Sequence, residues 1–247
     1  MKRARLRSSR GGRAARRAGP RTLAIDVGAT GLKAAILDAE GRMMGDRVRV
    51  PTPARRPPTV LIRAVAELIA PLGAYDRVSV GFPGVVRDGV VRTAPNFGSA
   101  RWRGFDLARA LTLALKRPVR VLNDAEVQGL AVVTGEGIEL VITLGTGVGT
   151  ALFRDGILMP HLELSQHPVR GDRTYDDYLG DRARKRVGTR KWNRRVRRVL
   201  GILETVFNYD RLHIGGGNAA RIDFPLGRHV RVVENTAGLL GGVALWR

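Results

Sequence analysis

Cysteine is absent from this chain of 247 residues. That excludes a disulfide framework and any thiolate metal site, and makes the reduced cytoplasm the expected compartment. Aromatic residues are scarce, at 5%, and few lie among the arginines, so a surface that stacks unpaired bases is poorly supported. No apolar run approaches the length of a membrane span, and the N-terminus has no apolar core of the signal-peptide type; a soluble protein with no membrane partner is expected. No repeat at solenoid periods is present, and no Gly-Lys-Ser/Thr tripeptide, which removes a Walker-type phosphate loop. Acids are outnumbered by Lys and Arg, 22 to 43, leaving a formal charge of +21.

That charge is concentrated. Lys2, Arg3, Arg5, Arg7, Arg10, Arg13, Arg16, Arg17 and Arg21 open the chain with no acid among them and Ser, Gly and Ala between. Such a segment cannot bury a core, so residues 1–21 read as a disordered basic tail. A second cluster runs from Arg182 through Arg184, Lys185, Arg186, Arg190, Lys191, Arg194, Arg195, Arg197 and Arg198. Fields of this kind concentrate polyanions: nucleic acid, an anionic membrane or a polyphosphate substrate. The plainer alternative is a solvated helix face in an arginine-rich composition.

What stands out is a pair of glycine loops, Asp26-Val-Gly-Ala-Thr-Gly-Leu-Lys33 and Leu144-Gly-Thr-Gly-Val-Gly-Thr150. Each is entered from one apolar run and left into another, the pattern of strand, tight turn, strand. A missing Cβ lets backbone N–H groups close on an anion. A dinucleotide loop would have to open a helix, whereas Thr150-Ala-Leu-Phe153 continues as strand. Ordinary glycine hairpins would explain either loop alone. The pair, with Asp26 and the recurrent Thr30 and Thr146, points to a duplicated framework gripping a phosphate chain from both sides.

The spacing predicts strands over Thr22–Val27, Leu32–Leu37 and Arg42–Val50, then a helix through Leu61, Val65, Leu68 and Leu72. A strand at Arg77–Gly81, a hairpin over Val85–Val91, a helix over Phe105–Leu115 and a strand at Pro118–Leu122 follow. The second half reads as a helix over Ala125–Thr134, the second glycine hairpin, helices at Tyr175–Val187 and Lys191–Phe207, strands at Leu212–Ile214 and Val230–Val233, and a final helix over Thr236–Leu245. Meander, helix, strand, helix recurs in each half. The expectation is two α/β lobes, residues 22–122 and 123–247, with a cleft between them and the last helix packing back on the first lobe.

Several polar residues sit where such a cleft would need them. Asp26, at the end of a buried strand, suits a Mg²⁺ ligand beside phosphate, or a turn cap. Lys33 is a phosphate counter-charge or a solvated strand residue. Asp124 follows a strand and begins a helix, where it accepts a hydroxyl proton or caps the helix; Asn123 beside it is a common hydroxyl ligand. Asn96, in Ala94-Pro95-Asn96, holds a hydroxyl or forms a turn. Glu163 lies in His161-Leu-Glu-Leu-Ser-Gln-His167, where a hydrogen-bonding sugar site outranks a metal because no recognised ligand spacing is present.

In order, Asp26–Lys33, Gly81-Phe-Pro-Gly84, Ala94-Pro-Asn96, Leu122-Asn-Asp124, Leu144–Thr150, Leu162-Glu-Leu164 and Ile214–Asn218 resemble the ROK family of sugar kinases, above all its polyphosphate glucokinase branch. The resemblance covers nearly everything from Thr22 onward. It implies a two-lobed actin-like (ribonuclease H-like) fold closing on a hexose. Asp124 then matches the general base for the sugar 6-hydroxyl, and Asn96, Asn123 and Glu163 match sugar ligands. Gly28, Thr30, Gly31, Lys33, Gly145, Thr146 and Gly147 match the donor loops, Asp26 the position associated with Mg²⁺, and Gly215 and Gly216 the donor channel wall. Where the family reads Glu-Leu-Gly-His, this chain has Gln166 at the histidine position and His167 one residue later. The Cys-rich zinc segment is missing, so no zinc is expected. No winged-helix segment precedes the core, against the family's repressors, and dimers are usual among relatives.

Phosphoryl transfer from polyphosphate or ATP to glucose is the function so implied. The alternatives are a kinase for another hexose, such as mannose or an amino sugar, and a non-catalytic kinase-derived protein that binds nucleic acid through its basic tail.

Overall fold

The structure is a computed structural model and describes residues 19–234 and 236–247. The tail expected at residues 1–21 therefore lies almost wholly outside the described residues. The first sheet opens with an antiparallel meander of β1 (Thr22–Val27), β2 (Gly31–Leu37) and β3 (Val48–Pro51). Strands β4 (Arg77–Phe82) and β5 (Val119–Asn123) join in parallel, giving the order β3-β2-β1-β4-β5. Alternation along β1 sends Leu23, Ile25 and Val27 into one core, against α1 (Pro58–Ile69) and α2 (Leu107–Leu115). Ala24 points the other way, onto Leu239 and Val243 of the C-terminal segment.

Helix α3 (Asp124–Leu130) leads into the second sheet. Its meander is β6 (Ile138–Leu144), β7 (Val148–Arg154) and β8 (Ile157–Leu158), and β9 (Arg211–Gly215) and β10 (Val230–Val232) add in parallel. The order β8-β7-β6-β9-β10 repeats that of the first sheet, so the coarse recurrence in the sequence is a recurrence of topology. Leu140, Ile142 and Leu144 of β6 pack on Trp192, Val196, Val199 and Leu203. Those four come from α6 (Thr189–Phe207), which follows α4 (Tyr175–Leu179) and α5 (Asp181–Val187). No helix among the described residues is long and apolar enough to cross a membrane.

Boundaries differ most from the sequence expectation at four places. The run Arg42–Val50 makes one bridge, Met43 to Leu37, and then pairs continuously only from Val48, with Gly45 between them at a φ of 97° turning the chain. The helix expected to reach Thr134 stops at Leu130; Glu139 reaches back and its carboxylate accepts from the N–H groups of Thr134 and Gly135, both at 2.8 Å. The single helix read over Tyr175–Val187 is broken at Gly180, where a Cβ would strike the Thr146 carbonyl. The last helix is α7 (Ala237–Leu240) followed by 3₁₀ turns over Gly241–Trp246.

That C-terminal segment is a clamp. The Ser79 hydroxyl of β4 donates to the Gly242 carbonyl at 2.5 Å and accepts from the Trp246 indole at 2.8 Å. Gly241 lies so close to α3 that a methyl group there would fall on the Val127 carbonyl oxygen. We expect Gly241→Ala to cost about 1–3 kcal/mol by overpacking. Gly201→Ala, in the exposed middle of α6 with open space around it, is expected to gain roughly 0.5–1 kcal/mol. Equilibrium denaturation of both variants against the parent checks the pair of signs.

Candidate functional site

Both glycine loops face one cleft of about 620 Å³ between the sheets. The first is tightened by the Gly28 N–H, which donates to the Gly31 carbonyl at 3.1 Å. Thr52 and Arg56 hold it from outside, donating to the carbonyls of Gly28 and Ala29 at 2.6 and 2.9 Å. In the second, the Gly145 N–H donates to the Gly147 carbonyl at 2.9 Å. It is then pinned from the helices: the Asp181 N–H donates to the Gly145 carbonyl at 3.0 Å, and Asp176 Oδ1 accepts from the Val148 N–H at 2.7 Å. Gly216, at a φ of 84°, passes so close to the Leu144 backbone that no side chain fits. These are rigid turns, held through their carbonyls.

Between the loops stands Asp124. Strand β5 ends at Asn123, whose side chain caps α3: its Oδ1 accepts from the Ala125 N–H at 2.8 Å, and its amide donates to the Gly84 carbonyl at 3.1 Å. Glu126 completes the capping box by accepting from the Asn123 N–H at 3.0 Å. The cap is therefore Asn123, which leaves Asp124 facing the cleft with one bond, from the Ala125 N–H at 2.9 Å. Burial, followed by the charge of Asp26, pushes the Asp124 carboxyl up to about 7. A carboxylate with a proton affinity near neutrality is matched to taking a proton from a hydroxyl.

Behind it runs a chain of polar groups that sequence reasoning did not assemble. The His161 side chain is buried, with Nδ1 at 2.9 Å from Glu126 Oε1 and Nε2 at 3.7 Å from Glu163 Oε2. Burial opposes its charge, but the two carboxylates carry it up to about 9, so it stands as a cation between them. Glu163 accepts from the Ser165 hydroxyl at 2.6 Å. Burial would raise its carboxyl, yet the nearby His161 cation and the bond from the Ser165 hydroxyl hold it below the usual value, as an acceptor facing the cleft. The His-x-Glu spacing was the only sequence signal for this arrangement.

Asp26, Gly28, Thr30, Gly31, Lys33, Asn96, Asn123, Asp124, Gly145, Thr146, Gly147, Glu163 and Gly216 all line the same cleft. Lys33 donates to Asp26 Oδ2 at 2.8 Å, so this cation already has a partner within the site. Gly215 does not line the cleft; it ends β9 against the Gln128 amide. Gln166 and His167 are exposed on the turn after Glu163 and are not part of the wall. The Gln166 amide donates from there to the Ser165 hydroxyl at 3.0 Å and to Asp176 Oδ2 at 3.5 Å. The cleft also includes residues the sequence did not single out, Arg47, Arg49, Ser165, Asp176, Asp181 and Arg221, together with Arg184 and Lys185 of the second basic cluster. Asp176, pushed up to about 6 mainly by burial, is the largest addition to its chemistry.

Two pH dependences follow. Any rate that needs ionised Asp124 should rise tenfold per pH unit below about 7 and level above it, read from kcat/KM against pH. His161 has a folded-state pKa above its unfolded one, so its stabilisation is complete below pH 6.5 and lost as pH rises through about 9. His161→Gln is thus expected to cost roughly 2–3 kcal/mol at pH 6 and much less at pH 9.5, measured by denaturant unfolding.

The ROK family model matches residues 22–160. A Mycobacterium tuberculosis protein named polyphosphate glucokinase is 33% identical over 233 residues, 88% of each chain. Among solved structures, the inorganic polyphosphate/ATP-glucomannokinase of Arthrobacter sp. strain KM superposes with a TM-score of 0.84 at 33% identity, covering 93% of this chain and all of that one. A ROK family glucokinase from Streptomyces griseus, solved with glucose and AMPPNP, gives 0.77 at 21% identity over 91% and 98% of the two chains, a likeness of fold. The family model matches more than half of the chain, and the first relative is a third identical across nearly its full length: the chain belongs to the ROK family.

Proposed function

We propose that this protein transfers a phosphoryl group from inorganic polyphosphate or ATP to the 6-hydroxyl of a hexose, glucose first. The observation that carries the reading is the position of Asp124, a carboxylate of near-neutral proton affinity facing a cleft that both glycine loops line. The names of the relatives with a third of their residues in common point the same way. A homodimer in the cytoplasm is part of the same reading.

In this mechanism Glu163 and Asn96 accept and donate to the sugar hydroxyls, and Asn123 shapes the wall through its cap. Asp124 takes the proton of the 6-hydroxyl as that oxygen forms its bond to the terminal phosphorus. The bond to the bridging oxygen of the donor breaks, and its electron pair leaves with the shortened polyphosphate or ADP. The loop N–H groups not spent within the turns and the cations Arg47, Arg49 and Arg221 face the donor's negative oxygens. Alignment and charge stabilisation do most of the work in such transfers.

No group of three or more His, Asp or Glu able to hold a metal occurs among the described residues. That fits Mg²⁺, which binds through one or two carboxylates with water and substrate phosphates. Asp26 would supply the carboxylate, since Lys33 occupies only its Oδ2; the ion would neutralise charge on the donor.

Asp124→Asn keeps the shape and removes the base. It is expected to lower kcat by about 10²–10⁴-fold with sugar affinity little changed. The same variant should be more stable than the parent at pH 8 by roughly 1–2 kcal/mol, since ionising the raised carboxyl destabilises the fold as pH climbs from about 4 to 7. Initial rates of glucose phosphorylation with polyphosphate and with ATP, for parent and variant, test the reading. Full activity in Asp124→Asn would overturn it.

A further inference from the structure

A second cavity, of about 850 Å³, lies outside the cleft and is lined by Arg170, Arg173, Lys191, Arg194, Arg195 and Arg198. Its walls are the turn of a short hairpin (Pro168–Arg170 with Arg173–Thr174) and one face of α6, where positions 191, 194, 195 and 198 fall on a single stripe. Asp172, on that turn, is the one acid of the lining among the described residues. Among the described residues none of these six cations is within salt-bridge distance of a carboxylate.

Several costs are visible here that a solvated helix face would not carry. Arg195 is 7% exposed, yet its guanidinium has only the Tyr178 carbonyl, at 3.1 Å, and the Tyr178 ring, 4.6 Å to the centroid. Burial, and beyond it the charges of Arg173, Arg186 and Arg170, lower its proton affinity. The first turn of α6 carries Arg190 and Lys191 and no acid, against the helix macrodipole. A multivalent anion would relieve all three at once. Nucleic acid is the weaker match, because among the described residues the only aromatic in the lining is Tyr178 and Arg195 covers its face.

The cavity and the cleft are neighbours across one helix. On α4, Asp176 lines the cleft and Tyr178, two positions on, lines the cavity, so the same short helix contributes to both walls. Cations continue around the end of that helix. Arg184 and Lys185 of α5 line the cleft, and Arg186 donates to the Asp177 carbonyl at 3.4 Å and adds its charge to that at Arg195.

We infer that the arginine cavity is a second binding site for linear inorganic polyphosphate, holding the stretch of chain beyond the end that reacts in the cleft. The inference rests on the donor reading above. It makes the protein sensitive to chain length: a long chain engages both sites, whereas tripolyphosphate and ATP reach only the cleft.

The test is the double variant Arg194→Gln/Arg198→Gln, two exposed positions outside the cleft, beside the charge-preserving Arg194→Lys/Arg198→Lys. Equilibrium binding of long-chain polyphosphate without sugar should weaken roughly tenfold in the Gln pair, with a salt dependence shallower by about one to two in log–log slope, and recover in the Lys pair. KM for long-chain polyphosphate should rise by a similar factor, while KM for ATP and for tripolyphosphate stays put. Unchanged long-chain binding in the Gln pair, or an equal rise in KM for ATP, overturns the inference. So does loss of affinity for a DNA duplex that long-chain polyphosphate fails to displace. A parent protein that binds the long chain through these arginines yet phosphorylates glucose only with ATP would leave the cavity standing as a polyphosphate site and refute the donor reading instead.

Discussion

The capped junction between β5 and α3 is the constraint on which the site depends. Asn123 takes the helix cap, so its neighbour need not, and Asp124 is released to face the cleft. Glu126 closes the capping box from below and in the same stroke anchors His161, which in turn holds Glu163. One local device thus fixes three groups: the carboxylate that would take a proton, the carboxylate that would hold the sugar, and the cation between two carboxylates that keeps the second one ionised. The end of a parallel strand is where open α/β sheets place their chemistry, because the backbone there diverges and leaves room.

Electrostatics then divide the carboxylates by role. In a chain of formal charge +21, Asp26, Asp124, Glu163 and Asp176 gather in a single cleft. Asp124 and Asp176 are half-buried without a salt-bridge partner among the described residues and bind protons more tightly; Glu163, with His161 and Ser165 behind it, binds its proton less tightly. Asp26 is paired with Lys33. The same set of side chains therefore supplies a base and a permanent acceptor, and what separates them is burial against a neighbouring cation.

Much of this was legible in the sequence, and the exceptions share a cause. The two meanders, their glycine turns and the strand-to-helix step at Asn123-Asp124 are local patterns, written in residues adjacent in the chain. Gly180 breaks a helix because Thr146, far off in sequence, presses on it; no local signal marks that. Glu126 and His161 meet across 35 residues, and Asp176 bonds in the cleft to the N–H of Val148, 28 residues earlier. Gln166 and His167 stood beside Glu163 in the string, but the 3₁₀ turn Leu164–Gln166 swings them outward and leaves Ser165 inside. Gly215 was grouped with its glycine neighbours, of which Gly216 and Gly217 reach the cleft.

The central claim is spatial: two backbone cradles hold a phosphate chain while Asp124 stands over the accepting hydroxyl. A crystal structure with glucose and a non-hydrolysable donor tests it most directly. The account predicts the terminal phosphate between the Gly28–Gly31 and Gly145–Gly147 turns, and the sugar 6-hydroxyl within hydrogen-bond distance of Asp124. A sugar bound elsewhere, or a donor whose terminal phosphate lies away from either turn, would contradict it.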